Sequence, residues 1–253
     1  MTLSASQWHQ RYLQQARWTQ NLRKYIYDQV GIQRAKTILD IGCGTGVLEN
    51  ELNSLTPSHT YGLDIDFKPL YMAREYAPKS IYTVGDCSNL PYRNGFFDIA
   101  LCHFLLLWIK DTLQAIEELV RVTRPNGFVL ALAEPDYGGR IDYPAELSKI
   151  GYWQINALKQ QGANPLIGRE LRSLFSNAGL VNIEVGVLGG QWKENEPDLD
   201  IDLEWEVIQS DLYQNNEYIN HADQLKAIEM ASRETNERIL FVPTFYAIGI
   251  VKG

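Results

Sequence analysis

The segment ILDIGCGTG, residues 38–46, constrains this chain more than any other. An apolar run ends in Asp40, three glycines follow at alternate positions (Gly42, Gly44 and Gly46), and the helix-compatible run VLENEL begins at once. Glycines between a strand and a helix let the backbone turn sharply. They also let a ligand approach with no Cβ in the way. Two phosphate-binding patterns fail on spacing. A P-loop needs Gly-Lys-Ser/Thr after its last glycine, and Gly46 is followed by Val47 and Leu48. The dinucleotide pattern G-x-G-x-x-G needs a glycine where Val47 stands.

Around this loop, strand-like and helix-like runs alternate. The first thirty residues read as one helix: Ser4 and Gln7 make a capping-box pattern and Gly31 suits the stop. Strands are expected at 37–41, 60–63, 81–84, 97–102 and 127–133. Helices are expected at 47–55, at 67–76 with Asp66 as cap, and at 112–122 with Asp111 as cap. Arg124-Pro125-Asn126-Gly127 reads as a turn. This alternation predicts a parallel sheet with crossover helices. The rhythm breaks at 134–167, around one helical stretch at 145–160. It resumes with a helix at 169–177 and a strand at 181–187, breaks again at 189–237, and ends in a strand at 244–251.

At the usual ~150 residues per domain, 253 residues make one large domain with insertions or one domain with a small partner. The alternation favours a single domain, 1–253, with a leading helix (1–31) and cap insertions at 134–167 and 189–237. The 45% hydrophobic and 21% charged content is globular. A net charge of −8 argues against a nucleic-acid grip. Cys43, Cys87 and Cys102 are widely spaced, which predicts neither a metal site nor a disulfide framework and fits a reducing, cytoplasmic compartment. The N-terminus lacks the pattern of a secretory signal. The most apolar run, IALCHFLLLWI at 99–109, is shorter than the ~20 residues a spanning helix needs. A soluble protein with no membrane partner is therefore expected.

The glycine segment resembles motif I of the class I S-adenosylmethionine-dependent methyltransferases, and the likeness continues in the family's order. YGLDID places Asp64 at the end of the second strand, GDCSNLPY places Asp86 after the third, and FFDIALCHFLLLW resembles the fourth-strand segment. ELVRVTRPNGFVLALAEPD resembles the next helix, turn and fifth strand. NPLIGRELRSLFSNAGLVNIEV is similar to the helix and sixth strand of small-molecule members of the type 11 kind, and TFYAIGIVKG to the antiparallel last strand. The resemblance implies a Rossmann-like α/β fold: a seven-stranded, mostly parallel sheet with an antiparallel last strand, an N-terminal helix and helical cap insertions. It implies S-adenosyl-L-methionine as cofactor and S-adenosyl-L-homocysteine as product.

Asp64, eighteen residues after Gly46, can accept both ribose hydroxyls by the logic of dinucleotide sites; its other reading is a turn or cap aspartate. By resemblance, Asp86 and Cys87 hold the adenine, Ile65 packs on its face, and Asp40 meets the methionine amino end. Gly42, Cys43, Gly44 and Gly46 bring backbone against methionine and ribose. Asp40 and Asp86 read equally as turn and loop aspartates.

Methyl transfer is an in-line displacement that positioning alone can accelerate, and a general base is optional. The chemistry is expected at the ends of strands four and five. The catalytic candidates there are His103 and Glu134, and the substrate candidates are Tyr137, Arg140 and Tyr143. The alternatives stay open: a packed histidine, loop carboxylates (Glu134, Asp136) and a solvated arginine. Arg11, Tyr12, Arg17, Trp18 and Arg23 of the leading helix read as core packing or as cofactor contacts. Cys102-His103-Phe104-Leu105 stands where exocyclic-amine methyltransferases of nucleic acids carry Asn/Asp-Pro-Pro-Tyr/Phe. With the acidic balance, this favours a small-molecule acceptor. The rival readings are a non-catalytic S-adenosylmethionine-binding module and a protein or RNA methyltransferase.

Overall fold

The computed structural model describes residues 4–187, 189, 201–212 and 215–253. Ser4 caps α1 (Ala5–Trp18) through the expected capping box. The single leading helix of the sequence reading is in fact two, because the chain breaks at Thr19 before α2 (Gln20–Val30). The cause is local competition for backbone. The Thr19 hydroxyl donates back to the Gln15 carbonyl at 2.9 Å, and the buried Arg23 takes the Ala16 carbonyl at 2.7 Å. Gly31 ends α2 in the left-handed region at φ 61°.

The alternating core follows as β1 (Thr37–Ile41), α3 (Val47–Leu55), β2 (His59–Asp64), α4 (Phe67–Tyr76), β3 (Ile81–Val84), β4 (Phe97–Cys102), α5 (Thr112–Val122) and β5 (Thr123–Pro135). Asp66 and Asp111 cap α4 and α5 as expected. The turn expected at 124–127 instead lies within β5 as an irregularity. Asn126 sits at φ 59° with its amide bonded to the Val251 carbonyl, while Thr123 already pairs with Phe97. Beyond it come β6 (Ile141–Tyr143), α6 (Ser148–Gln160), α7 (Leu171–Asn177), β7 (Val181–Val187), α8 (Ile201–Leu212), α9 (Asn216–Glu234), β8 (Ile239–Phe241) and β9 (Thr244–Ile250).

Seven strands form one sheet in the order β3-β2-β1-β4-β5-β9-β7. β9 runs antiparallel to both of its neighbours and the other pairings are parallel. The chain moves outward from β1 to β3 and then returns to the other side of β1 with β4. In open sheets of this kind the ligand crevice lies at that switch, outside the carboxyl ends of the strands. Apolar side chains fill both faces. Leu39, Ile41, Cys102 and Val129 pack with α5 and α7 on one, and Ile38, Leu101 and Leu130 pack with α2 and α3 on the other.

The two interruptions pack on each other. Leu147, Ile150 and Trp153 meet Trp205, Ile208, Leu212, Tyr218 and Leu225 in a separate buried cluster. β6 and β8 pair antiparallel beside it, Asp142 opposite Leu240, a ladder too short to show a sequence period. Asp142 is buried between Arg140 at 2.6 Å and Arg238 at 2.9 Å, and Arg238 continues to Glu229 at 2.7 Å. No described helix is long and apolar enough to cross a membrane.

Candidate active site

The glycine loop takes its shape from three left-handed residues, Gly42, Gly44 and Gly46. A Cβ on Gly44 would lie 3.0 Å from the Tyr12 ring, and one on Gly46 would lie 3.1 Å from the Ala73 backbone. Side chains are therefore excluded on both sides of the turn. The amides of Gly42 and Cys43 donate to the Leu63 carbonyl at 2.7 and 3.1 Å, which ties the loop to the end of β2. From above, α1 is pinned to the loop by His9 Nδ1, 2.7 Å from Thr45 Oγ1.

A cleft of about 700 Å³ opens over this loop. Asp40, Gly42, Cys43, Gly44, Asp64, Ile65, Asp86 and Cys87 all line it. Gly46 does not; it packs under the loop against Ala73 and Tyr82. Asp64 is held by two backbone donors, Gly44 to Oδ2 at 2.9 Å and Asp66 to Oδ1 at 3.0 Å. Each oxygen keeps further acceptor capacity. Asp86 is fixed by the Ser88 amide at 2.8 Å, and Ile65, 74% exposed, stands at the rim.

The cleft floor is crowded with buried carboxyl groups. Asp40 is buried with Oδ1 unpartnered, and behind the loop Glu49 is buried with both carboxylate oxygens unpartnered. Burial and the facing carboxylates Glu49 and Asp64 hold Asp40 well above the usual carboxylate range. Burial, with Asp64 adding to it, pushes Glu49 from 4.5 to about 8. Burial, then Glu49, Asp40 and Asp64, push the Cys43 thiol up as well. In the sequence Glu49 reads as an ordinary helix acid and does not stand out. The available signal is its place beside Leu48 and three residues before Leu52, on the face α3 buries.

At the far wall are His103, Phe104, Leu105 and Trp108. Burial, with the nearby Arg23 charge, holds His103 well below the ordinary imidazole range. Its Nε2 lies 2.8 Å from Thr19 Oγ1. The leading helix contributes Trp8, Tyr12, Gln15 and Ala16 to the lining, so Tyr12 is a cleft residue. Burial, followed by Asp64 and Asp66, raises the Tyr12 phenol to about 12. Arg11 instead lies over the Trp18 ring at 4.6 Å.

Several expected acceptor-side residues are elsewhere. Glu134 is fully buried and does not line the cleft. Its Oε1 accepts from the amides of Leu105 and Leu106 at 3.1 and 3.2 Å, so it braces the chain after β4. Burial outweighs those bonds and raises it to about 7. Tyr137, Arg140 and Tyr143 also lie outside the lining. Arg140 is committed to Asp142 and to Gln154 at 2.6 Å, and Asp136 to Arg169. Trp153 and Trp205 fill the cluster between the insertions.

The residues present fit one kind of ligand: a diol at Asp64, a flat apolar group between Ile65 and Cys87, and a cationic end at the unpartnered Asp40. Among the described residues, no lysine or arginine is paired with Asp40, Glu49 or Asp64. A bound cation would relieve their mutual repulsion.

Residues 39–131 match the family described as a methyltransferase domain. An uncharacterized methyltransferase of Schizosaccharomyces pombe is 29% identical over 64% of this chain and 62% of its own length. A demethylmenaquinone methyltransferase of Mycolicibacterium paratuberculosis is 33% identical over 42% of this chain and 44% of its own. The chain spans about half the length of the curated relatives it matches. Among solved structures, the Haemonchus contortus phosphoethanolamine N-methyltransferase 2, in complex with phosphomonomethylethanolamine and S-adenosylhomocysteine, superposes with a TM-score of 0.59. It is 15% identical and covers 92% of this chain and 53% of its own.

Proposed function

We propose that this chain, whose residues 39–131 match a methyltransferase domain, is a class I S-adenosylmethionine-dependent methyltransferase that transfers a methyl group from S-adenosyl-L-methionine to a small-molecule acceptor. One observation carries this reading. A preset carboxylate (Asp64) and an unpartnered buried one (Asp40) face the same glycine-lined cleft, and among the described residues no cation is paired with either. That arrangement is costly when empty and suits a positively charged ligand with a ribose.

The cofactor would supply an electrophilic methyl on a positively charged sulfur. Asp64, oriented by the Gly44 and Asp66 amides, accepts the ribose hydroxyls. Asp40 takes the amino end, with the Glu49 carboxyl buried behind it. Asp86, Cys87 and Ile65 hold the adenine. Tyr12 and Trp8 cover the loop and exclude water, which strengthens each of these contacts. His103 is the catalytic candidate, since it lines the wall where an acceptor would lie, whereas Glu134 supports that wall from behind.

We read the chain as one methyltransferase domain whose insertions, 134–167 and 189–237, form a cap. The net charge of −8 supports a small-molecule acceptor over nucleic acid. The three free buried thiols support a reducing, cytoplasmic setting. The test is a coupled S-adenosylhomocysteine assay over a metabolite library, with calorimetry on the cofactor. Saturable S-adenosylhomocysteine binding and its formation with at least one acceptor are expected. Tight NAD binding with no response to S-adenosylhomocysteine would overturn the reading. Binding without turnover on any acceptor would favour a non-catalytic module.

A further inference from the structure

The break between α1 and α2 places a hydroxyl beside the cleft histidine. Thr19 Oγ1 makes three polar contacts: 2.9 Å to the Gln15 carbonyl, 2.6 Å to Arg23 Nη1 and 2.8 Å to His103 Nε2. A hydroxyl has one hydrogen and two lone pairs. The Gln15 carbonyl can only accept, so it takes the hydrogen. The Arg23 guanidinium can only donate, so it takes one lone pair. The second lone pair remains for His103, and Nε2 must then carry the ring hydrogen. Arg23 cannot turn away. It is 1% exposed, its Nε donates to Glu51 Oε1 at 2.9 Å, its Nη2 donates to Glu51 Oε2, and its Nη1 also donates to the Ala16 carbonyl. Among the described residues, no group bonds His103 Nδ1, and the ring lines the cleft.

We propose that Thr19 and Arg23 are positioning residues that hold His103 as its Nε2–H tautomer, leaving the Nδ1 lone pair to receive a hydrogen bond from an acceptor bearing an O–H or N–H. Only the last clause rests on the methyl-transfer reading; the tautomer is a property of the protein alone. The buried guanidinium beside the ring also disfavours a second proton on it. His103 therefore orients an acceptor as a neutral hydrogen-bond partner, which selects acceptors with a polar hydrogen near the atom to be methylated. An ether or an aprotic acceptor would leave Nδ1 without a partner.

Imidazole nitrogen NMR on the ¹⁵N-labelled full chain tests this directly. The His103 signals are assigned by their loss in His103→Asn. A pyrrole-like Nε2 and a pyridine-like Nδ1 are expected, in free protein and with S-adenosylhomocysteine alike. Thr19→Ser, which keeps the hydroxyl, should preserve that pattern, and Thr19→Val should lose it. An Nδ1–H pattern in the unmutated protein overturns the proposal even where Thr19→Val does not fold. For the acceptor half, phenol and anisole serve as probes on the S-adenosylhomocysteine-loaded protein. Phenol should shift the Nδ1 signal upfield, and anisole, which lacks the hydrogen, should not. Equal shifts with both, or none with either, overturn that half. If S-adenosylhomocysteine fails to bind while the tautomer is as expected, the methyl-transfer reading falls and the positioning role stands.

Discussion

The backbone amide of Gly44 donates to Asp64 Oδ2 at 2.9 Å, so this cleft carboxylate and the glycine loop hold each other in place. Asp64→Ala should therefore weaken S-adenosylhomocysteine binding by about 1.5–3 kcal/mol, through loss of charge-assisted hydrogen bonds. The fold should survive, since Asp64 ends a strand at the cleft edge and is not in the core. Asp64→Asn keeps an acceptor for the Gly44 amide and should fall between the two. Calorimetry on folded variants checks this order, and an unchanged dissociation constant in Asp64→Ala would remove Asp64 from the site.

Gly44 is in the left-handed region at φ 53° with the Tyr12 ring 3.0 Å from where a Cβ would be. Gly44→Ala should cost about 1–2 kcal/mol from the backbone conformation alone, and more from the clash. Adding Tyr12→Ala removes the clash and leaves the backbone cost. Thermal melts of the double variant should recover part of the loss. Full recovery would mean that the φ value carries no strain, and no recovery that Tyr12 is not what Gly44 accommodates.

Much of this was legible in the sequence because it is local. Asp66 and Asp111 mark their helix starts, Gly31 marks a stop, and the runs at 37–41, 81–84 and 97–102 are strands at the residues expected. What was illegible depends on contacts between distant segments. Arg140 reads as a free loop arginine until β6 meets β8 and Arg238 joins it at Asp142. Thr19 reads as mid-helix until Arg23 takes the Ala16 carbonyl. Tyr12 fits an apolar stripe equally well on core or cleft, and only the packing of α1 over the loop decides it. Glu134 at a strand end invites a catalytic reading, yet its oxygen is taken by two amides.

Glu49 should make stability fall as pH rises. Its folded value of about 8 lies above its ordinary 4.5, so between them the folded state holds more protons than the unfolded one. The slope of unfolding free energy with pH is then negative across roughly pH 4.5–8 and flattens on either side. Asp40, raised by burial and the same carboxylates, acts with the same sign. Glu49→Gln cannot ionise and should lose part of this slope, becoming more stable than the parent by on the order of a few kcal/mol at the alkaline end. Urea unfolding of both proteins at several pH values reads it. Parallel slopes would mean that Glu49 does not titrate in this window.

The last prediction concerns the cluster between the two insertions. Trp205 is buried against Leu147, Ile150 and Trp153, so the proposed cap has its own core, apart from the cleft lining. α1 reaches the same cap through Gln7, whose amide donates to Glu206 at 3.1 Å. Trp205→Ala should remove about 3–5 kcal/mol of packing. Because Trp205 packs within the cap, the loss should be spent on local opening there before it reaches the sheet. Hydrogen exchange should accelerate in α6 and α9 and stay unchanged in α4 and β1, and S-adenosylhomocysteine affinity should change less than twofold. A matching acceleration in β1 would show that cap and sheet unfold as one unit. A large loss of affinity with α4 unchanged would make Trp205 part of the binding site.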